Sequence, residues 1–153
     1  MRISEPTFVD TNILVFACDK NSPLFDQAVN VRNEVMLGNI NAYIAPQVLY
    51  EFYAVITSPK RVINPLSTNL ALKEVKNYMR ATQFKKIYPL KDTTMDRVFE
   101  LVDSIKLIRT DIFDAHIAAV MLENGVTHIL TDNEKDFVRF KDIKVTNPFK
   151  IQK

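Results

Sequence analysis

Cysteine, histidine, glycine and long apolar runs are all scarce in this chain, and each scarcity closes off a class of protein. Cys18 is the only cysteine, which rules out an intrachain disulfide framework and any structural zinc site built from two or more thiolates. It reads as a small buried hydrophobe rather than a reactive thiol. His116 and His128 are too few and too far apart for a histidine-rich zinc site, and both read as structural. Gly38 and Gly125, the only glycines, read as helix C-terminal stops. There is no repeat, low-complexity tract or flexible linker. No stretch approaches the roughly 20 apolar residues of a membrane span, and Met1-Arg2-Ile3-Ser4-Glu5-Pro6 lacks the apolar core of a signal peptide. A cytoplasmic protein with no membrane partner is the expectation.

What is present suits a single folded domain over 1–153. The length, 153 residues, is enough to bury a real core and too short for two ordinary ones. A composition 47% hydrophobic and 25% charged has too much apolar material for a disordered chain. The net charge of +2 permits nucleic-acid binding without demanding it. Local basic character is more informative: Lys60-Arg61, Lys85-Lys86, Arg109, Lys135, Arg139 and Lys141 lie near the segments of chemical interest, although solvated surface charge is the ordinary role of such residues.

Hydrophobic periodicity predicts short strands alternating with helices. Ile3 to Val9, interrupted by Pro6, leads into a strand at Thr7-Phe8-Val9, and Asp10-Thr11-Asn12 turns the chain into a helix starting at Ile13, with Asn12 as its N-cap. A helix follows from about Pro23 to Leu37, then a strand at Ala42 to Ala45, a helix opened by Pro46 and running to Thr57, and a helix from Thr68 to Thr82. A strand at Lys86 to Leu90 precedes helices over Asp92 to Ile105 and Ile112 to Glu123. The chain ends in a strand at Val126 to Leu130, a short helix near Lys135 to Phe140 and a strand at Ile143 to Thr146. This alternation implies a parallel α/β sandwich.

Carboxylates cluster at the edges of these apolar segments: Asp10 after the first strand, Glu51 in the second turn of the Pro46 helix, Asp111 and Asp114 at a helix start, and Asp132, Glu134 and Asp136 after the strand ending at Leu130. Each has an ordinary role. Asp10 and Asn12 form turns and caps, Glu51 lies at the boundary of an apolar face beside Val48 and Val55, and Asp111 and Asp114 interact favourably with a helix dipole. In open parallel sheets, however, ligands bind beyond the carboxyl ends of strands, where these groups converge. Several oxygen ligands from separate elements are what a hard divalent cation needs, and Mg²⁺ or Mn²⁺ suits carboxylate, amide and water donors.

In this order and spacing the motifs resemble those of PIN-domain ribonucleases, particularly the VapC-like toxins of bacterial toxin-antitoxin pairs, across nearly the whole chain. Val9-Asp10-Thr11-Asn12-Ile13-Leu14 resembles the family's opening motif, whose Asp is a metal ligand and whose Asn supports the site. Pro46-Gln47-Val48-Leu49-Tyr50-Glu51-Phe52 resembles the segment carrying its Glu. Phe113-Asp114-Ala115-His116-Ile117-Ala118-Ala119 resembles the third motif, with the metal-binding Asp before Ala, and Thr131-Asp132-Asn133-Glu134-Lys135-Asp136-Phe137 resembles the last. Many members have Asp two residues after the Thr, where this chain has Asn133. Asp132 could therefore complete the site, Asn133 could supply a neutral oxygen, or Asp136 could contribute directly or through water.

The resemblance implies a PIN-like three-layer α/β/α sandwich with a short-stranded parallel sheet. It further implies a Mg²⁺- or Mn²⁺-dependent ribonuclease with Asp10, Glu51, Asp114 and Asp132 as catalytic metal ligands. Asn12, Thr131, Asn133, Asp136 and Asp111 would support them, and Arg109, Lys135 and Arg139 would contact the RNA backbone. An antitoxin protein and a homodimer are the implied partners. The alternatives are a non-catalytic or weakly active PIN-like RNA-binding module and another Mg²⁺-dependent phosphohydrolase. Phosphatases of the latter kind often carry Asp-x-Asp, which Asp10-Thr11-Asn12 does not match.

Overall fold

A computed structural model describes residues 1–150, so the last three residues of the expected 1–153 domain lie outside the described residues. Among the described residues, five strands form one parallel sheet: β1 (Ile3–Val9), β2 (Ile40–Ile44), β3 (Phe84–Lys86), β4 (His128–Leu130) and β5 (Lys144–Thr146). Their spatial order is β3-β2-β1-β4-β5, with every pair parallel. The helices are α1 (Thr11–Phe16), α2 (Phe25–Met36), α3 (Pro46–Ile56), α4 (Thr68–Arg80), α5 (Lys91–Ile105), α6 (Asp111–Glu123) and α7 (Glu134–Phe137). They flank the sheet as the expected three-layer α/β/α sandwich. The layering follows from chain order, because right-handed crossovers moving outward from β1 to β2 to β3 place α1 to α4 on one face. The return from β3 across to β4 then places α5 and α6 on the other. Helix contacts agree, with α1 against α2 and α3, α3 against α4, and α6 against α5 and α7.

Helices cover both faces of the sheet, so its strands are apolar along much of their length. Phe8, Val9, Ile40, Ala42, Ile44, Ile129 and Leu130 are buried in the sheet's interior. β1 is longer than the expected Thr7-Phe8-Val9. Pro6 is accommodated where the β1–β2 register slips, between the pairs Ile3↔Ile40 and Thr7↔Ala42. β3 begins at Phe84 rather than Lys86, because Phe84 fills a buried slot and stacks edge-on against Tyr78, 5.1 Å between ring centroids. Tyr88 and Leu90, which suggested the later strand, are exposed. Gly38 and Gly125 have φ of 77° and 71° just past α2 and α6, the left-handed conformation that stops a helix.

His128 is locked between strands, with Nδ1 3.0 Å from Thr7 Oγ1 and Nε2 2.8 Å from Thr146 Oγ1, in keeping with a structural role. Burial lowers its pKa from the ordinary histidine value. Cys18 is half-buried against the core, and burial pushes its thiol up to about 11. No described helix is long and apolar enough to cross a membrane.

Candidate active site

The strand order reverses between β1 and β4, because β1 leads outward to β2 and β3 while β4 leads to β5 on the opposite side. A crevice opens at such a switch point beyond the carboxyl ends of the two strands. The ends are tied together by Asp10 N–H donating to Leu130 O at 3.0 Å, while Thr131 N–H, donating to Thr146 O at 3.0 Å, fastens the end of β4 to β5. The residues that follow β1 and β4 therefore meet, although they lie more than a hundred positions apart in sequence.

Asp10 is the best anchored of them. Its Oδ1 accepts from Thr11 N–H at 2.7 Å, capping α1, and its Oδ2 accepts from the Thr131 hydroxyl at 2.7 Å and from Asn12 Nδ2 at 2.9 Å. Asp10, not Asn12, is thus the N-cap, with the extended backbone of a capping residue (φ −73°, ψ 156°). The Asn12 side chain is employed elsewhere. Its Nδ2 also donates to Thr131 Oγ1 at 3.1 Å, and its Oδ1 accepts from Asp132 N–H at 3.2 Å, so one amide staples the two strand ends across the switch point. Thr131 is fully buried and completes this knot by accepting from Asn133 N–H at 2.9 Å.

Glu51 arrives from the second turn of α3, at the edge of the face (Val48, Leu49, Phe52, Val55, Ile56) that packs into the core. Its Oε2 accepts from the Thr11 hydroxyl at 2.9 Å. Thr11 has no place among the expected site residues, yet it supports both carboxylates, Asp10 through its backbone and Glu51 through its side chain. Its position inside the opening motif was the available signal. Asp114 projects from the first turn of α6, which packs closely through the buried Ala115, Ala118 and Ala119.

Asp10, Glu51, Asp111, Asp114, Asn133 and Asp136 line a single cleft of about 570 Å³, together with Thr11, Asn12, Gln47 and Arg61. Aromatic side chains Tyr50 and Phe113 stand at the same cleft, 74% and 59% exposed. Asp132 does not line it. Its exposed carboxylate accepts from Asn147 Nδ2 at 3.1 Å, and only its backbone N–H serves the Asn12 staple. Of the alternatives for the last cluster, the structure brings Asp136 and Asn133 to the cleft and turns the Asp132 side chain away.

The expected basic contacts are redistributed too. Arg109 and Lys135 are exposed and outside the cleft lining. Arg139 is committed to carboxylates, with Nη2 donating to Asp114 Oδ2 at 2.9 Å and Nη1 to Asp111 Oδ2 at 3.0 Å. Among the described residues, Arg61 is the cation that lines the cleft. It stands in the basic pair Lys60-Arg61 just beyond α3, whose distance from Asp10 along the chain hides the proximity.

The electrostatics mark Asp10 and Asp114 apart. Burial pushes the Asp10 carboxyl up to about 6 against the opposing hydrogen bonds from Thr131 and Thr11, and the charges of Glu51 and Asp136 add to the rise. Burial also pushes Asp114 up to about 6, aided by Asp136 and Asp10 and opposed by Arg139. Asp136 thus raises both, which ties it to the same field. Two carboxyls raised chiefly by burial, and further by the acidic charge around them, are a donor set in want of positive charge. In kind the donors fit a hard divalent cation, being carboxylates from the N-cap of α1 and from α3, α6 and α7 with a neutral amide beside them. Among the described residues, no three acidic, histidine or cysteine side chains are already gathered tightly enough to enclose an ion.

Comparison with known proteins adds to this geometry. The family profile described as PIN domain matches residues 7–143. The curated protein Ribonuclease VapC24 of Mycobacterium tuberculosis is 26% identical over 140 residues, covering 92% of this chain and 94% of that protein. Among solved structures, VapBC2 from Rickettsia felis, bound to a DNA fragment from its promoter, aligns with a TM-score of 0.65 at 21% identity, covering 93% of this chain and 98% of that one. Mycobacterium tuberculosis VapC20, described as a Sarcin-Ricin loop cleaving toxin, aligns with a TM-score of 0.64 at 15% identity, covering 88% and 95%.

Proposed function

This chain belongs to the PIN-domain family, and from that premise we propose that it is a Mg²⁺- or Mn²⁺-dependent ribonuclease, the toxin of a toxin-antitoxin pair. The observation that carries the reading is the convergence of Asp10 and Asp114 in one cleft with their carboxyls pushed up to about 6. Such a pair is unfavourable in the bare protein and is relieved by a bound cation. Asp10 and Asp114 are the principal ligands, with Glu51 and Asp136 completing the acidic ring. Asp136 takes the role that the sequence resemblance assigned to Asp132. The ion, when bound, would polarise the phosphodiester and supply an activated water for hydrolysis.

The protein's own residues do the positioning. The Thr11 N–H, the Thr131 hydroxyl and Asn12 Nδ2 fix both oxygens of Asp10, so its orientation costs nothing further when substrate arrives. The Thr11 hydroxyl holds Glu51 Oε2. Arg61 offers a fork to an RNA phosphate at the rim, while Tyr50 and Phe113 present aromatic faces on which unpaired bases can stack. Single-stranded or looped RNA is the substrate class this rim suits, since stacking needs bases that are not paired.

The related VapBC complex supports an antitoxin partner, and a homodimer is proposed with it. A cytoplasmic location follows from the same reading. The test is cleavage of single-stranded RNA by metal-stripped protein with Mg²⁺, Mn²⁺ or chelator. Cleavage should need the ion and vanish in Asp10→Asn and Asp114→Asn. Cleavage surviving both substitutions would assign the activity to a contaminating nuclease and overturn the proposal. A phosphate monoester offered in parallel should stay intact.

A further inference from the structure

We propose that Arg139 is a positioning residue for the metal site, gripping Asp114 and Asp111 from outside the cleft and fixing the carboxylate that Asp114 presents to the ion. This rests on the divalent-cation reading above and goes beyond it by assigning a function to a side chain that binds neither substrate nor metal.

The guanidinium is fully committed. Nη2 donates to Asp114 Oδ2 at 2.9 Å, Nη1 to Asp111 Oδ2 at 3.0 Å, and Nε to the Asp136 carbonyl at 2.8 Å. Its plane lies over Phe140, 5.6 Å from the ring centroid, and the side chain is only 23% exposed. An arginine held at three nitrogens and one face has little freedom to swing towards a ligand. Asp111, Asp114 and Asp136 line the cleft while Arg139 does not, so the fork approaches from behind the carboxylates. Asp111 and Asp114 each give Oδ2 to the arginine, and among the described residues no other hydrogen bond fixes the Asp114 carboxylate. Asp10 is oriented by three donors of its own, whereas Asp114 depends on this one. The Nε bond to the Asp136 carbonyl then ties α7 to the start of α6, so the two acidic segments keep their spacing through a single side chain.

A metal-bound carboxylate generally needs such an outer partner, and removing one typically weakens metal binding about 10- to 100-fold. Charge alone acts in the opposite direction, because a cation beside the site repels a divalent ion. Arg139→Lys separates the two effects, keeping the charge and removing the fork.

The full chain, stripped of metal, is titrated with Mn²⁺ by calorimetry, in wild type, Arg139→Lys and Asp10→Asn, with thermal melts to establish folding. The expected result is wild-type binding, about tenfold weaker binding in folded Arg139→Lys, and loss in Asp10→Asn. Equal or tighter binding in Arg139→Lys would overturn the positioning role while leaving the cation reading intact, and tighter binding would make Arg139 a competitor of the ion. No binding in wild type would overturn both. A second measurement needs no variant to fold: the Arg139 Nε–H resonance of wild type should stay protected from exchange when Mg²⁺ is added. Its loss on addition would show the fork being displaced and would refute the inference.

Discussion

The substitution Asp10→Asn should change stability by an amount that depends strongly on pH, and the size of that dependence can be worked from the site. The Asp10 carboxyl rises from 3.8 to about 6 on folding. A group whose folded value is raised contributes stability that is complete below the unfolded value and disappears as pH climbs through the folded one. The metal-free wild type therefore loses stability between about pH 4 and pH 7 on account of this residue. The rise spans about two pH units, at about 1.4 kcal/mol each, so the loss is about 3 kcal/mol. Asparagine does not titrate. It keeps an oxygen for the Thr11 N–H and loses the acceptor for the Thr131 hydroxyl and Asn12 Nδ2, a penalty of about 1–3 kcal/mol that does not vary with pH.

The informative quantity is consequently the difference between two differences. Urea unfolding followed by circular dichroism, in chelator, gives the stability of each protein at pH 4 and pH 7.5. Relative to wild type, Asp10→Asn should improve by about 2–3 kcal/mol across that interval, whatever its offset at either end. Stability curves that run parallel would show that Asp10 is not held against its charge, and the electrostatic case for a cation would lose its footing. Repeating the pH 7.5 arm with Mg²⁺ should stabilise wild type and leave Asp10→Asn nearly unchanged.

Asp136→Asn should abolish Mg²⁺-dependent RNA cleavage, while Asp132→Asn should retain most of it, since the Asp132 carboxylate is spent on Asn147; a gel assay of both variants decides between them. Tyr50→Ala and Phe113→Ala should each weaken binding of a single-stranded RNA by about 1–3 kcal/mol with little effect on folding, as measured by fluorescence anisotropy. Binding unaltered in both would remove the stacking role. Cys18, its thiol pushed up to about 11 by burial, should react with iodoacetamide at pH 8 far more slowly in native protein than in urea. Equal rates would mean that the thiol is not shielded.

Local signals reveal the fold and the anchor of the site well, and they fail where a partner lies far along the chain. Pro46 opening α3, the glycines ending α2 and α6, and the apolar spacing of α5 and α6 act over a few residues, so their elements appear in place. The β3 boundary fails because Lys86 to Leu90 has an apolar rhythm of its own, while the deciding contact is the stacking of Phe84 on Tyr78. The cap fails for a similar reason. Asp10 and Asn12 are equally good capping types, and the choice falls on Asp10 because Asn12 is engaged by Thr131 and Asp132, across the sheet. Arg139 reads as a surface cation near the site until α6 and α7 are brought together, when it is consumed by Asp111 and Asp114.

The last acidic cluster shows the same limit and also explains it. Asp132, Asn133 and Asp136 stand within five residues, so spacing alone ranks none above another. What separates them is the knot at Thr131, whose hydroxyl donates to Asp10 and accepts from Asn133 N–H. The Asn133 N–H bond to that hydroxyl turns the chain immediately after β4, and Asp136 N–H closes the turn onto the Asn133 carbonyl at 3.1 Å. Asp132 is thrown outward to Asn147, while Asp136 is carried on the first turn of α7 towards Asp10 and Asp114. The neutral residue at Asn133 is then physically sensible. A further carboxylate there would add to the acidic charges that already reinforce the burial-driven rise of Asp10 and Asp114, and an amide supplies an oxygen to the cleft without that cost.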